Sequence, residues 1–350
     1  MPANTIKSTS TTLASYLETA GASLQNGKAL AAVMLSIADC TKKIAKLTAQ
    51  GALAEVTDKL TQQNVQGETQ MKLDVLSNNI FIEALASTHL VAGFVSEEIE
   101  TAQGLSNSTS AHQFLVNFDP LDGSSNIAVN GTVGSIFSIL NAPKNKPTQA
   151  VDYLQPGSAQ IAAGYALYGS ATMLVITIGK GTHSFTLDIN SQDYILSHPD
   201  IQIPDITSEF AINCSNERFW EPPMQRYVAE CKGGSAGVRG RDFNMRWVAS
   251  MVADVHRILI RGGVYLYPKD CKLPLKAGRL RLLYEANPMS FIIEQAGGKS
   301  TTGRQRLLEL LPTEIHQRAP VMMGSRLEVS LIELYHKEFD TSQFYIEPIV

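Results

Sequence analysis

The chain has 350 residues, 44% hydrophobic and 18% charged, with a formal net charge of −4. This is the composition of an ordinary globular protein, either one large domain or two fused lobes. The mildly acidic balance argues against broad nucleic-acid binding, and no apolar run of about 18 residues offers a membrane span. The opening Met1-Pro-Ala-Asn-Thr lacks the basic and apolar regions of a secretion signal, so a cytoplasmic location is expected. The four cysteines, Cys40, Cys214, Cys231 and Cys271, are scattered, suit a reducing compartment and read as small apolar filler.

Residues 1–14 are polar and rich in Ser and Thr, and read as a flexible N-terminal segment. Over 29–49 the apolar residues Leu30, Val33, Met34, Ile37, Cys40, Ile44 and Leu47 recur at helical spacing. A second helix is predicted over 72–87, followed by β-rich runs at 91–95, 114–118, 133–140, 161–168 and 172–178. Residues 181–196 read as a hairpin, 245–261 as a helix and 263–267 as a strand. A strand over 279–284 should feed a helix over 288–296, with Asn287 as N-cap and Gly297-Gly298 as its stop. Strands and helices alternate irregularly, which predicts a layered α/β protein rather than a regular doubly wound sheet. A composition shift near residue 200 divides the expected lobes, 15–200 and 201–340.

The richest stretch is Asp119-Pro-Leu-Asp-Gly-Ser-Ser-Asn126. Two carboxylates stiffened by a proline suit a hard divalent cation. A glycine followed by two hydroxyl residues offers N–H and O–H donors to a phosphate. Metal and phosphate held side by side are what metal-assisted hydrolysis of a phosphate ester requires. Asp74, Glu97, Glu98 and Glu285 each lie near the end of a predicted element and could complete an acidic cluster.

With these motifs the chain resembles the class I fructose-1,6-bisphosphatases, within the Mg²⁺-dependent, lithium-sensitive sugar phosphatases. The resemblance runs through Asn64-Val-Gln-Gly-Glu-Thr-Gln-Met-Lys-Leu-Asp-Val-Leu-Ser-Asn78, Val95-Ser-Glu-Glu98, the stretch around Asp119, Ser250-Met-Val-Ala-Asp-Val-His-Arg257 and Leu280-Arg-Leu-Leu-Tyr-Glu285. It implies a layered αβαβα fold of two lobes with mixed sheets, assembled as a homo-oligomer, usually a tetramer. It implies hydrolysis of the 1-phosphate of fructose-1,6-bisphosphate with Mg²⁺, for which Mn²⁺ could substitute. Carried over residue by residue, it makes Glu97, Asp119, Asp122, Glu285 and the Leu121 carbonyl metal ligands, with Glu68 serving a weaker metal. Asp74 and Glu98 become the pair that activates water, and Gly123, Ser124 and Ser125 the cradle of the 1-phosphate. Asn213, Tyr267, Arg279 and Arg246 surround the 6-phosphate, Arg246 reaching in from a neighbouring subunit, and Met251 touches the sugar.

The chain also departs from the family pattern. Ala128 stands where an aspartate is usual, which predicts slower turnover, and Trp247 and Arg279 replace a tyrosine and a lysine. Nearly every phosphate-binding group of the family's AMP site is missing from Leu24–Leu30, Gln113-Phe114 and Asn141, so weak or no AMP inhibition is expected. Two alternative readings stay open: a dual enzyme that also accepts sedoheptulose-1,7-bisphosphate, and a catalytically weakened sugar-phosphate-binding protein.

Overall fold

The computed structural model describes residues 11–51, 59–63, 69–105, 114–144, 146–272, 274 and 276–343. Residues 1–10 of the segment read as flexible lie outside this set, as does Glu68. From Thr11 onward the chain is engaged. The Thr11 carbonyl accepts the Leu196 N–H at 2.9 Å, and the Thr12 hydroxyl caps helix α1 (Leu13–Gly21) by accepting the Ser15 N–H at 3.2 Å.

Helix α2 (Gly27–Gln50) buries Leu30, Val33, Met34, Ile37, Cys40 and Ile44, the stripe its sequence spacing predicts. A hairpin of β1 (Lys59–Gln63) and β2 (Thr69–Met71) leads into α3 (Lys72–Ser87). The main sheet is built from β3 (Val91–Ser96), β4 (Gln103–Gly104), β5 (Phe114–Asp122), β6 (Val133–Asn141), β7 (Ala162–Tyr168), β8 (Thr172–Thr177), β9 (His183–Leu187) and β10 (Tyr194–His198). Its order is β10-β9-β8-β7-β6-β5-β3-β4, with β3 and β5 parallel and the other pairs antiparallel.

The second sheet contains β11 (Glu209–Ala211), β12 (Asn244–Met245), β13 (Val264–Tyr267), β15 (Lys299–Thr301) and β17 (Val321–Gly324), while β14 (Leu280–Arg281) pairs with β16 (Arg318–Ala319). Four further helices are α4 (Pro222–Lys232), α5 (Met251–Arg261), α6 (Asn287–Gln295) and α7 (Arg326–Gln343).

Side-chain alternation along the strands sorts these elements into layers. Phe114, Val116 and Phe118 of β5 face α1, α2 and α3. Ile136, Ala163, Tyr165 and Val175 on the opposite face pack against α5 and α6, which also meet Ala211, Tyr265, Val321 and Met323 of the second sheet. The far face of that sheet, with Phe210, Ile212, Val264, Leu266 and Met322, is closed by Met224, Tyr227 and Val228 of α4 and Val329 and Ile332 of α7. The result is a five-layer αβαβα arrangement with mixed sheets.

Three predicted elements are corrected. The helix expected over 245–261 begins only at Met251, because Met245 pairs with Phe210 in the second sheet and Ala249 turns left-handed at φ +64°. The strand expected over 279–284 is two residues long, and Leu282–Ala286 form a π-helical turn that runs directly into α6. Asn287 is therefore the first residue of α6, not its N-cap. Finally, Cys40 and Cys231 are buried filler, but Cys271 is exposed and Cys214 half-buried.

Candidate active site

The acidic residues gather at the C-terminal ends of the parallel pair β3 and β5. Glu97 follows β3 directly, and its N–H donates to the Phe118 carbonyl of β5 at 3.2 Å. Asp119 lies on β5, on the face opposite Phe118. Glu285 comes from the π-helical turn, a widening of the backbone spiral that often marks functional positions. Carboxylate oxygens of Glu97, Asp119 and Glu285 all lie within 4.8 Å of one another, and all three residues are buried.

Asp122 reaches the same region through an irregularity in strand pairing. The register of β5 on β6 shifts between Asp119 and Asp122, spanning Pro120. Asp122 Oδ2 accepts the Ser250 hydroxyl at 2.8 Å and the Val252 N–H at 3.0 Å. The Leu121 N–H donates to Asp119 Oδ1 at 2.9 Å, so the backbone of the motif holds its own carboxylate in place.

Crowded, buried carboxylates resist ionisation. Burial, followed by the charges of Glu97, Asp122 and Glu285, holds Asp119 well above the usual carboxylate range. Burial lifts Asp122 to about 6, with the Val252 N–H and Ser250 hydroxyl opposing the rise. An all-oxygen donor set of buried, closely spaced carboxylates fits a hard divalent cation.

Asp74 sits in the first turn of α3, where its Oδ2 accepts the Met71 N–H at 2.7 Å. Its Oδ1 accepts no hydrogen bond among the described residues. Burial raises Asp74 to about 7; the Met71 N–H lowers it, and repulsion from Glu98 and Glu97 adds to the rise. The Ser124 hydroxyl lies close enough to oppose that rise, which brings the phosphate-cradle motif up to the acidic group. One α-helical turn on, Asn78 accepts the Ser96 hydroxyl at 2.7 Å, and the Glu98 N–H donates to that hydroxyl at 3.2 Å. Asp74 and Glu98 are thereby tied into one region.

Gly123 supplies the corner between metal and phosphate motifs. Its φ is +76°, and a Cβ there would stand 2.7 Å from Ser250 Cβ. Both facts require glycine. Ser124 and Ser125 begin a 3-10 turn, Ser124–Val129, on which Ala128 is exposed.

The expected distal-phosphate residues fall into two groups. Asn213 and Tyr267 line a small cleft with Trp247 and Asp270. Arg279 is held at its wall by Asp270, 3.0 Å away. Met251 is buried at the start of α5. Arg246 instead stands exposed on the edge of the second sheet, its N–H bonded to the Phe210 carbonyl at 2.8 Å.

Two residues that the sequence reading left without a role shape the site. Arg281, buried, pairs with Glu97 at 2.7 Å and Glu285 at 3.5 Å, and its own N–H donates to Glu285 Oε2. A lone cation within the apolar run 280–284 was the available signal, since a buried charge needs a partner. Ser250 is the other, seated against both Asp122 and Gly123. His256 and His316 engage the hydroxyls of Tyr165 and Tyr284, each at 2.8 Å, as expected of satisfied interior groups.

The raised carboxyl groups predict an unusual stability profile once metal is stripped by a chelator. The native pKa of Asp74, about 7, exceeds its ordinary 3.8. Its stabilising contribution is therefore complete below the unfolded value and is lost as pH rises through about 7. His256, which burial holds down at about 4, opposes this trend because its unfolded imidazole takes up a proton as pH falls toward its ordinary 6.5, but the raised carboxyl groups of Asp74, Asp122 and Asp254 together outweigh it. The metal-free protein should melt at higher temperature at about pH 6.5 than at about pH 8, and excess Mg²⁺ should erase the difference. Calorimetry showing a melting temperature that falls toward pH 6.5 would contradict the buried, neutral Asp74.

Comparison with known proteins gives a consistent picture. Residues 11–199 match the family model described as fructose-1-6-bisphosphatase, N-terminal domain, and residues 203–337 match the model of its C-terminal domain. The chain is 56% identical over 310 residues to fructose-1,6-bisphosphatase class 1 3 of Methylibium petroleiphilum, covering 88% of this chain and 87% of that protein. It is 50% identical over 336 residues to the class 1 enzyme of Rhodospirillum rubrum, covering 95% of each. The crystal structure of Leishmania major fructose-1,6-bisphosphatase in holo form superposes with a TM-score of 0.88 at 39% identity, covering 94% of this chain and all of that one.

Proposed function

The chain belongs to the fructose-1,6-bisphosphatase family, and on that premise we infer that it hydrolyses the 1-phosphate of fructose-1,6-bisphosphate to fructose 6-phosphate and inorganic phosphate. The observation that carries the reading is the buried Glu97–Asp119–Glu285 cluster beside Asp74 and the Gly123–Ser125 turn.

Glu97, Asp119, Asp122 and Glu285, with the Leu121 carbonyl, would hold divalent cations, Mg²⁺ or in its place Mn²⁺. Glu68 would serve a weaker ion. Bound there, the cations supply Lewis-acid polarisation of the phosphate oxygens and activation of the attacking water. Asp74, with an oxygen that accepts no hydrogen bond among the described residues and a carboxyl raised to about 7, is suited to take the water's proton, assisted by Glu98. Gly123, Ser124 and Ser125 fix the 1-phosphate by backbone N–H and hydroxyl donors. Asn213, Tyr267 and Arg279 hold the distal phosphate, and Met251 packs toward the sugar.

Arg246 completes that distal site from a neighbouring subunit. Its exposure in one chain supports this, as do exposed apolar neighbours, Met245 at 48% and Val248 at 42%. A homo-oligomer, usually a tetramer in this family, follows. Among the described residues no helix is long and apolar enough to cross a membrane, and a cytoplasmic location is proposed. The substitutions across Leu24–Leu30 and at Asn141 make AMP inhibition absent in this proposal. Gln113 lies outside the described residues.

The weakened-binder alternative rested on Ala128. Its position on the exposed side of a turn, outside the buried carboxylate group, favours the enzyme. The dual-substrate alternative is tested by the same assay. Phosphate release is measured from fructose-1,6-bisphosphate and, in parallel, sedoheptulose-1,7-bisphosphate, with Mg²⁺ and with or without AMP. Fast release from the six-carbon substrate, unaffected by AMP, is expected. Retention of intact substrate at saturating Mg²⁺ and Mn²⁺ would replace the enzyme by the binding protein.

A further inference from the structure

Asp254 is fully buried in α5 and touches neither the acidic cluster nor the distal cleft, yet it organises the chain that serves both. Its Oδ2 accepts the Val248 N–H at 3.1 Å, and the Ala249 N–H also faces this carboxylate. These bonds fold the turn in which Ala249, a residue with a Cβ, holds φ +64°. On one side of the turn, Ser250 donates to Asp122 Oδ2 at 2.8 Å and its Cβ closes against Gly123. On the other side, Arg246 stands at the exposed edge. Asn126 of the 3-10 turn donates to the Val248 carbonyl at 3.3 Å, so the phosphate-cradle motif leans on the same bend.

Arg257, one helical turn beyond Asp254, completes the arrangement. Its guanidinium lies 3.5 Å from Asp254 Oδ1 and from Glu209 of β11, and donates to the Arg246 carbonyl at 3.4 Å. Among the described residues, Asp254 and Arg257 are the charged groups bonded to the backbone of 246–249. The backbone of this turn, unlike its tips, is therefore fixed from within α5.

We propose that Asp254 is a positioning residue for both ends of the substrate, holding the Arg246–Ser250 turn so that Ser250 orients the metal ligand Asp122 while Arg246 is presented at the subunit edge. The Asp122 half of the proposal rests on the geometry of this chain; the Arg246 half rests on the function proposed above. Partners that orient a metal ligand typically change metal affinity about 10–100-fold when lost.

The test uses the full-length protein and the variants Asp254→Ala and Asp254→Asn. Mn²⁺ binding is followed by the disappearance of the free-ion electron paramagnetic resonance signal, and kinetics with fructose-1,6-bisphosphate are run in parallel. Asp254→Ala is expected to weaken Mn²⁺ about tenfold and to raise KM about tenfold with a smaller loss of kcat. Asp254→Asn, which keeps an oxygen for the Val248 N–H, should restore Mn²⁺ binding to within about threefold of the unsubstituted protein. Wild-type Mn²⁺ affinity in Asp254→Ala, or equal impairment in both variants, overturns the proposal. If Asp254→Ala does not fold, Arg257→Met takes its place, with a raised KM and unchanged Mn²⁺ titration expected and an unchanged KM overturning the Arg246 half. Should the unsubstituted protein not hydrolyse this bisphosphate, the functional reading fails, while the Mn²⁺ titration still decides whether Asp254 positions Asp122.

Discussion

Replacing Asp119 with asparagine is expected to lower kcat/KM for fructose-1,6-bisphosphate about a thousandfold and, at the same time, to raise the melting temperature of the metal-stripped protein. Both effects have one cause. Asp119 is 1% exposed and packed among Glu97, Asp122 and Glu285. With no cation present its ionisation is opposed by burial and by three like charges, while Arg281 pairs directly with Glu97 and Glu285. An asparagine keeps an oxygen for the Leu121 N–H and is neutral without taking up a proton, so the cost of neutralising a buried acid disappears without loss of that bond. The same substitution removes one of the three carboxylates of the proposed metal site. Stabilisation by Mg²⁺ should therefore shrink as the metal-free melting temperature rises. Calorimetry with chelator and with Mg²⁺ separates the two effects. A variant that is less stable than the parent in chelator, or that retains most of its activity, would remove Asp119 from the metal site.

The second large effect belongs to Gly123. Alanine at this position meets two obstacles, a left-handed backbone at φ +76° and a Ser250 Cβ only 2.7 Å from the new atom. Backbone strain of about 1–3 kcal/mol and overpacking of about 1–3 kcal/mol together predict a stability loss of roughly 2–6 kcal/mol. Relief of the clash requires the turn to move away from Ser250, which also carries the hydroxyl bonded to Asp122. The proposed phosphate donors and the proposed metal ligand Asp122 are then displaced together, and kcat/KM should fall about a hundredfold. Gly104→Ala is the control, since among the described residues its Cβ would meet only Thr148 Oγ1, at 3.6 Å. Urea unfolding and steady-state kinetics on both variants decide the matter. Equal, small effects at the two glycines would show that the cradle does not depend on the corner at residue 123.

The chemistry of the site was legible in the sequence because its richest part is local. Asp119, Asp122, Gly123 and Ser124 lie within six residues, and a short turn brings such neighbours together whatever surrounds it. The family resemblance then assigned roles to distant residues such as Asp74 and Glu285. Helices α2 and α3 were equally plain, since a one-sided apolar stripe repeats at a helical period.

The places where the structure departs from expectation share a different origin. The run 280–284 is buried on all sides, so its hydrophobicity carries no period that separates a strand from a π-helical turn. The start of α5 was displaced because pairing of Met245 with Phe210 outcompeted helical propensity. Likewise, nothing near Arg281 in sequence reveals its bond to Glu97, which directly follows β3. By itself, then, the sequence determined which residues make up the candidate site, the principal helices and strands, and the family to which the chain belongs. Only the tertiary structure decided which carboxylates share a charge cluster, which cation answers them and which buried acid holds the Arg246–Ser250 turn. Those pairings depend on long-range packing of separate elements, and the local chain carries no record of the distance between them.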